Sequence, residues 1–327
     1  MISIPRFDVL AKMAKHLKEV PYNVTPQRLY TASSLYERLV NDDSVPLADC
    51  YDQRVYQYYL SMGKHATDEK EMLSRSLHDY GIGKSLDKYL AQYDRLKVVG
   101  VMGGHGMLRT DATYREIVLL SKDLTERHSL MVTGGGPGAM EATHLGAWMA
   151  GRTQEEVDEA IEMLTPAPSF KDENWLRTAF QVMRRFPQQE FRSLGLPTWL
   201  YGHEPSTPFA TDIAKYFDNS IREDSILTIA FGGIIFTPGS AGTMQEVFQE
   251  AVQNHYLSYG LSSPMIFLGR QFWDEEIPVY PFLENLIEKG RYKNLDLALT
   301  DTWQDAVQEL LRFRNKFPVL KDADKIY

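Results

Sequence analysis

The stretch from Ile234 to Gln253, IIFTPGSAGTMQEVFQEAVQ, most constrains the fold of this chain. It begins with a short apolar run rich in β-branched residues, which indicates a buried strand. Proline and glycine then break the run, and Thr243 is predicted to cap a helix with an apolar inner face. Backbone N–H groups and the helix dipole favour negative charge at such a turn, so the stretch predicts an anion site.

Strands and helices alternate through the chain from Arg95 onward. Further strands are predicted at Lys97–Met102, Leu130–Thr133, Thr198–Tyr201, Met265–Leu268 and Leu295–Leu299. A helix is predicted from Thr211 to about Ala230, because Ile213, Phe217 and Ile221 recur every four residues. Continuous apolar strands that alternate with helices predict an α/β fold whose parallel sheet is covered by helices on both faces.

The first 94 residues lack this alternation of strands and helices and are predicted to form a helical N-terminal extension. Apolar residues at helical spacing follow Pro5, and Thr25-Pro26 is typical of a second helix start. Two more helices are predicted, at Val55–Met62 and at Glu71–Tyr93, the second interrupted near 81–83. The predicted domains are therefore 1–94 and 95–327, and no chemistry is assigned to the first.

Composition narrows the class of protein. The net charge of −9 and the pI of about 5.5 argue against nucleic acid or an anionic membrane as a general partner. Cys50 is the single cysteine, so no intramolecular disulfide can form and a reducing cytoplasm is expected. No run approaches the ~18 apolar residues that span a bilayer, and the N-terminus lacks a signal-like apolar segment.

Three glycine-rich turns, at 103–106, 134–138 and 239–242, each follow a predicted strand. Since the carboxyl ends of parallel strands share one edge of a sheet, the turns are expected to converge on one ligand. Four glycines in the middle turn would let the backbone approach a phosphate closely, although a tight structural turn is the alternative.

Two common nucleotide-binding patterns are absent from these turns. A dinucleotide fingerprint requires G-x-G-x-x-G, whereas the chain from Gly136 has the sequence G-P-G-A-M-E. The first turn also departs from it, because Arg109 stands at the position of the last glycine. The chain contains no G-x-x-x-x-G-K-[ST] sequence, so the phosphate-binding loop of ordinary ATPases is not expected.

Two charged residues accompany the predicted anion site. Glu246 is either a catalytic carboxylate or the partner of Thr243 in a T-x-x-E capping box, and spacing alone does not separate the two. Arg222 either brings a cation to the edge of the sheet or forms a surface i,i+4 pair with Asp218.

Other candidates have ordinary structural alternatives. His105 could contact a phosphate or a base, although most single loop histidines do neither. Arg184, Arg185 and Arg192 fit a solvated helix face as well as a pocket wall. Trp175, Trp199 and Tyr201 fit core packing as well as stacking on a base.

Two of these motifs, GGGPGAMEA at Gly134–Ala142 and PGSAGTMQE at Pro238–Glu246, resemble the paired motifs of the Lonely Guy (LOG) family. The resemblance covers roughly Arg95 to Phe313 and includes the segment FLENLIEKG at Phe282–Gly290. It implies a Rossmann-like doubly wound parallel sheet and a homodimer or higher homo-oligomer. The family hydrolyses the N-glycosidic bond of nucleoside 5′-monophosphates, and no metal or redox cofactor is implied.

The resemblance also implies roles for individual residues. The family's catalytic arginine and glutamate correspond to Arg222 and Glu246. Contacts with the phosphate or nucleotide are expected from Gly104, Gly134, Gly135, Gly136, Gly138, Met140, Gly239, Ser240, Ala241, Gly242 and Thr243. The chain departs from the family pattern at Ser240, where a glycine is usual, and at Glu223, where a lysine usually follows the arginine.

The residues and the resemblance together predict a nucleoside 5′-monophosphate phosphoribohydrolase that forms a free base and ribose 5-phosphate. The alternatives are a nucleotide-binding sensor without turnover and an enzyme acting on another phosphoribosyl compound. Amino-acid decarboxylation is not expected, since no lysine has a convincing setting for a Schiff base with pyridoxal phosphate.

Overall fold

A computed structural model of the protein describes residues 15–316. Its centre is a seven-stranded sheet in which every neighbouring pair of strands is parallel. The strands are β1 (Val98–Met102), β2 (Leu130–Thr133), β3 (Ser193–Gly195), β4 (Asp212–Ile213), β5 (Ile234–Phe236), β6 (Pro264–Leu268) and β7 (Asp296–Thr300). Their order across the sheet is β4-β3-β2-β1-β5-β6-β7, which confirms the predicted Rossmann-like α/β fold.

Helices connect the strands and cover both faces of the sheet. In the N-terminal region they include α1 (Ala32–Tyr36), α2 (Tyr51–Ser61) and α3 (Glu69–Leu90). The remaining helices are α4 (Ala112–Glu126), α5 (Ala139–Trp148), α6 (Gln154–Leu164), α7 (Trp175–Arg185), α8 (Asn219–Ile229), α9 (Ala241–Tyr256), α10 (Val279–Glu288) and α11 (Trp303–Lys316). Within residues 15–316, no helix is both long and apolar enough to cross a membrane.

The two faces of the sheet belong to two hydrophobic clusters. In β5, for example, Ile234 and Phe236 join one cluster and Ile235 joins the other, because successive strand side chains point to opposite faces. The first cluster also contains Leu35 of α1 and Ile82 of α3. The helical N-terminal region therefore packs into the same hydrophobic core as one face of the sheet.

The predicted helix from Thr211 to Ala230 is wrong over its first eight residues. Asp212 and Ile213 form β4, and α8 begins only at Asn219, where the Asp218 side chain caps it by accepting from the backbone N–H of Ser220. The four-residue spacing that suggested a helix arises because Ile213 lies in a strand while Phe217 packs into an aromatic cluster.

The third predicted strand, Thr198–Tyr201, is also wrong. Its last three residues form a short 3-10 turn that the Thr198 hydroxyl caps by accepting from the backbone N–H of Leu200. The strand at this place in the sheet is β3, which ends three residues earlier. Pro197 cannot donate a hydrogen bond to a neighbouring strand, which favours the end of the strand before it.

Two predictions for the N-terminal region are corrected, and one lies outside the described residues. No helix starts at Thr25-Pro26; α1 starts at Ala32 with Thr31 as its cap. The helix over the predicted interruption at 81–83 is continuous, and Gly81 provides a close contact with Pro26. Of the apolar repeat Phe7, Leu10, Met13 and Leu17, the first three residues precede the described part of the chain, and Leu17 lies in a helical segment at 15–19.

Candidate active site

The three glycine turns meet at the carboxyl edge of the sheet, as expected from the topology. The backbone N–H of Gly104 donates to the carbonyl of Pro238 at 3.0 Å, and the Gly104 carbonyl accepts from the N–H of Ala139 at 3.2 Å. The turn after β1 thus joins the turns after β2 and β5. These strands flank the point where the strand order reverses, which is where open α/β sheets bind ligands.

A cavity of about 270 Å³ opens beside this junction. Its walls come from the turn after β1, the start of α5, the segment between β3 and β4, α8, and the first turns of α9. The lining residues are Gly103, Gly104, His105, Met140, Tyr201, Glu204, Arg222, Glu223, Ser240, Gly242, Thr243, Gln245 and Glu246. Residues named from both sequence motifs therefore share one cavity.

The N-terminus of α9 forms the part of the cavity best suited to an anion. Ser240 is the residue that precedes the helix, and its side chain makes no capping hydrogen bond. The prediction of Thr243 as the cap is wrong, because Thr243 is the third residue of the helix. The first backbone N–H groups of a 16-residue helix consequently remain available to an anion, and the helix dipole favours negative charge there.

Glu246 lies one turn into α9 and is half-buried. Within residues 15–316 its carboxylate accepts no hydrogen bond from the backbone of Thr243, so the capping box is not formed. Burial raises the pKa of Glu246 to about 7, Arg222 opposes the rise, and Glu223 adds to it. The carboxyl group therefore changes protonation state near neutral pH, as general acids and bases commonly do.

Arg222 is fixed by contacts on the sheet side of α8. Its Nε donates to the carbonyl of Leu196 at 2.8 Å, and its guanidinium lies against Gly134. The surface pair with Asp218 does not form, because the Asp218 carboxylate caps α8. The cation therefore faces the cavity together with Glu246.

The glycines of the middle turn pack mainly against the protein itself. Gly135 and Gly138 have positive φ angles of 70° and 68°. A side chain at Gly135 would collide with Pro197, and one at Gly138 with the backbone of Gly104. Gly134, Gly135, Gly136 and Gly138 do not line the cavity, and neither do Gly239 and Ala241, whereas Gly104, Met140, Ser240, Gly242 and Thr243 do.

Glu141 of the first motif has a purely structural setting. It is fully buried, accepts two hydrogen bonds from the guanidinium of Arg109, and accepts a third from the hydroxyl of Tyr114. Arg109 in turn donates to the carbonyls of Ala167 and Trp175. This buried ion pair fixes the start of α5 to the segment before α7.

Glu204 is the site residue that sequence reasoning missed. It lies in the irregular segment between β3 and β4, where no repeat or motif marks it. Its Oε1 is 3.9 Å from Nε2 of His105 and 3.7 Å from Nε2 of His203. Tyr201, which was weighed as a stacking residue, lines the same cavity.

The other candidates have structural settings. Trp175 and Trp199 are buried in the core, as is Cys50. Arg184 pairs with Asp43, Arg185 with Glu159 and Arg192 with Asp212. Glu223 lies on the cavity wall and accepts from the side-chain amides of Asn219 at 2.7 Å and Gln245 at 3.3 Å, so it links α8 to α9.

The N-terminal helices hold the chain that leads into α8. The buried Asp79 of α3 accepts from the backbone N–H of Phe217 at 3.0 Å and from that of Asp218 at 2.8 Å. Two residues earlier, the buried Lys215 pairs with Asp52 of α2 at 2.6 Å. The helical region thereby fixes the position of α8, and with it Arg222, without lining the cavity.

Three solved structures have a similar fold. The molybdenum cofactor binding protein from the phototrophic bacterium Rippkaea orientalis is 13% identical, over 66% of this chain and 96% of its own, with a TM-score of 0.42. The protein TM1055 is 18% identical, over 66% and 98%, with a TM-score of 0.40. The Chlamydomonas rheinhardtii Moco carrier protein is 17% identical, over 66% and 97%, with a TM-score of 0.38.

No protein-family model matches the chain, and no curated protein sequence matches it. At such low identities and TM-scores, the three structures do not assign a function to the chain.

Proposed function

We propose that this protein hydrolyses the N-glycosidic bond of a nucleoside 5′-monophosphate and releases a free base and ribose 5-phosphate. The observation that carries the proposal is the meeting of Arg222 and Glu246 in one cavity, beside the uncapped N-terminus of α9. The resemblance of both motifs to the LOG family supports the same reaction.

The 5′-phosphate would lie against the first turn of α9, where Ser240, Gly242 and Thr243 line the cavity. Backbone N–H groups and the helix dipole attract the phosphate there, at a distance of about one turn from Glu246. A phosphate held in this way fixes the ribose relative to the carboxylate, and such positioning lowers the barrier by several kcal/mol in other enzymes.

The chemical step places a water oxygen on the anomeric carbon while the bond from that carbon to the base nitrogen breaks. The ribose develops oxocarbenium character, as in the hydrolysis of O-glycosides. The ionised form of Glu246 would stabilise this cation or accept a proton from the water. Arg222 would stabilise the negative charge that grows on the departing base, which finally takes up a proton.

Incubation of the purified protein with a panel of nucleoside 5′-monophosphates and the matching nucleosides tests the proposal. We expect chromatography to detect free base from at least one monophosphate and none from its nucleoside, because the nucleoside lacks the phosphate. Glu246→Gln should lower the rate by roughly 10²-fold or more. Glu284→Gln, a change on the exposed side of α10, is the control and should keep the full rate.

A nucleotide sensor without turnover is the second candidate, and Glu223 favours it. The carboxylates of Glu204, Glu223 and Glu246 line the cavity with Arg222 as the single guanidinium among the lining residues. Glu223 also helps to raise the pKa of Glu246, which disfavours the ionised form. Tight binding of a monophosphate by calorimetry, with no base released from any of the panel, would establish this alternative.

The proposal includes assembly into a homodimer or higher homo-oligomer. The α9 helix exposes Val252 and Tyr256, which are 42% and 73% exposed, and the adjoining Leu257 is 42% exposed. Apolar side chains grouped on one helix face are common at subunit interfaces. Light scattering at several protein concentrations would measure the mass, and a monomer throughout would contradict the assembly.

A further inference from the structure

We propose that Glu204 recognises the base of the nucleotide and that guanine, which carries two adjacent N–H donors, is the preferred base. This inference rests on the proposed binding of a nucleoside 5′-monophosphate in the cavity. It does not require that the N-glycosidic bond be broken.

The Glu204 carboxylate lacks hydrogen-bond donors. Its side chain is only 18% exposed, and within residues 15–316 it accepts no hydrogen bond. The imidazoles of His105 and His203 lie 3.9 and 3.7 Å from one carboxylate oxygen, both too distant for hydrogen bonds. A carboxylate that is mostly shielded from solvent and has no donor is less well solvated than one in water, so a ligand that brings N–H groups into the cavity would be stabilised there.

The backbone around Glu204 is held in place. Its N–H donates to the carbonyl of Tyr201 at 2.8 Å, and the N–H of Thr207 donates to the carbonyl of Gly135 at 2.9 Å. The hydroxyl of Tyr36 adds a bond to the carbonyl of Ser206. A carboxylate carried by a fixed segment can discriminate between ligands, because it does not move to suit each of them.

Glu204 and the anion site come from well-separated parts of the sheet. Glu204 follows β3, whereas the anion site follows β5, and these strands are three places apart in the order β3-β2-β1-β5. Three strand spacings correspond to about 14 Å. A phosphate would be attracted by α9 and repelled by Glu204, so a nucleotide would be oriented with its base toward Glu204.

The chemistry of a carboxylate selects among the bases. An ionised carboxylate only accepts hydrogen bonds, and its two oxygens can accept two parallel N–H bonds. Guanine presents such a pair, at its ring N1 and its amino group. Adenine and cytosine place an acceptor nitrogen beside the amino group, and uracil has one N–H between two carbonyl oxygens. Tyr201, on the same cavity wall, offers a ring on which the base can stack.

Calorimetry with GMP, IMP, AMP, CMP and UMP tests the inference, with hydrolysis of the same nucleotides measured in parallel. We expect GMP to bind at least tenfold tighter than AMP, since a site built for two adjacent N–H donors rejects bases that lack this pair. Glu204→Gln offers one donor and one acceptor, which suits adenine. It should weaken GMP binding at least tenfold and leave AMP binding unchanged or tighter. Glu190→Gln, on an exposed loop, is the control and should keep the order of affinities.

The outcomes separate this inference from the proposed hydrolysis. A preference for GMP that Glu204→Gln abolishes, without release of guanine, would support the role of Glu204 and overturn the hydrolase. If the protein hydrolyses nucleotides and Glu204→Gln does not change which base it prefers, the hydrolase is supported and the role of Glu204 is overturned. Should Glu204→Gln fail to fold, the order of nucleotide affinities of the wild-type protein tests the inference. AMP or UMP bound as tightly as GMP would overturn it. Binding of none of the nucleotides overturns both.

Discussion

The Arg222 guanidinium lies in the space that any side chain at Gly134 would need. Both groups are fixed, because Gly134 follows β2 directly and Arg222 is bonded to the carbonyl of Leu196. This glycine of the first motif therefore leaves room for a cation. The first motif contributes to the cavity through Arg222 as well as through Met140.

Gly134→Ala should displace Arg222 and lower the proposed hydrolysis at least tenfold. The new methyl group would overlap the guanidinium, and a shift of about 1 Å in a positioned group is enough for losses of this size. The measurement is the rate of base release beside the thermal unfolding temperature. Gly106→Ala is the matched control, since a side chain there meets open space. Equal rates in the two variants would contradict the role given to Gly134.

The proposed activity should rise as the pH increases through about 7. The pKa of Glu246 is raised to about 7, chiefly by burial, so its ionised form becomes dominant only above that pH. Because the ionised carboxylate would stabilise the ribose cation in the proposed reaction, the rate should follow the ionised fraction of Glu246. A pH–rate profile of the wild type checks this, and the rise through pH 7 should be absent from the profile of Glu246→Gln. A profile falling through pH 7 would instead indicate that the protonated form acts.

Asp79→Ala should lower the free energy of unfolding by about 3 kcal/mol, since the backbone N–H groups of Phe217 and Asp218 lose a charged acceptor. Chemical denaturation measures the loss. Asp87→Ala, an exposed position of the same helix, should change stability by less than about 0.5 kcal/mol. Similar small changes in both variants would mean that Asp79 does not hold the start of α8.

Two glycines of α3 should respond to alanine in opposite directions. A side chain at Gly81 would lie 2.8 Å from Pro26, whereas one at Gly83 meets nothing within 4 Å. Gly81→Ala should therefore destabilise the protein by about 1–3 kcal/mol through overpacking. Gly83→Ala should stabilise it by about 0.5–1 kcal/mol through higher helix propensity. The denaturation midpoints of both variants test this prediction. Destabilisation by both substitutions would contradict the stabilising effect expected of Gly83→Ala.

The sequence predicts the parallel sheet well, because its buried strands are continuous apolar runs that tolerate few other structures. It fails at β4, where the strand is two residues long and the pairing with β3 lies outside any local pattern. Ile213 and Phe217 are spaced as on a helix, yet Ile213 pairs with Gly195 of β3 and Phe217 packs against the ring of Tyr22 from the N-terminal region.

The candidate site shows a similar division. The sequence names Arg222 and Glu246 because each stands at a fixed position relative to a motif, and the structure places both on the cavity wall. Glu204 carries no such mark, because its position follows from the path of an irregular segment. The contact of Gly134 with Arg222 is equally invisible in sequence, since it joins residues far apart in the chain.

The sheet ends at β4, where Tyr30 of the N-terminal region exchanges both backbone hydrogen bonds with Ile213, at 2.9 and 2.8 Å. An outer strand normally presents unpaired amide and carbonyl groups that can template the addition of a foreign strand. Here one short bridge from the same chain already satisfies Ile213. The N-terminal region thus blocks the pairing of a foreign strand with β4 at Ile213. A chain that lacks residues 1 to about 95 would expose this edge and should aggregate more readily.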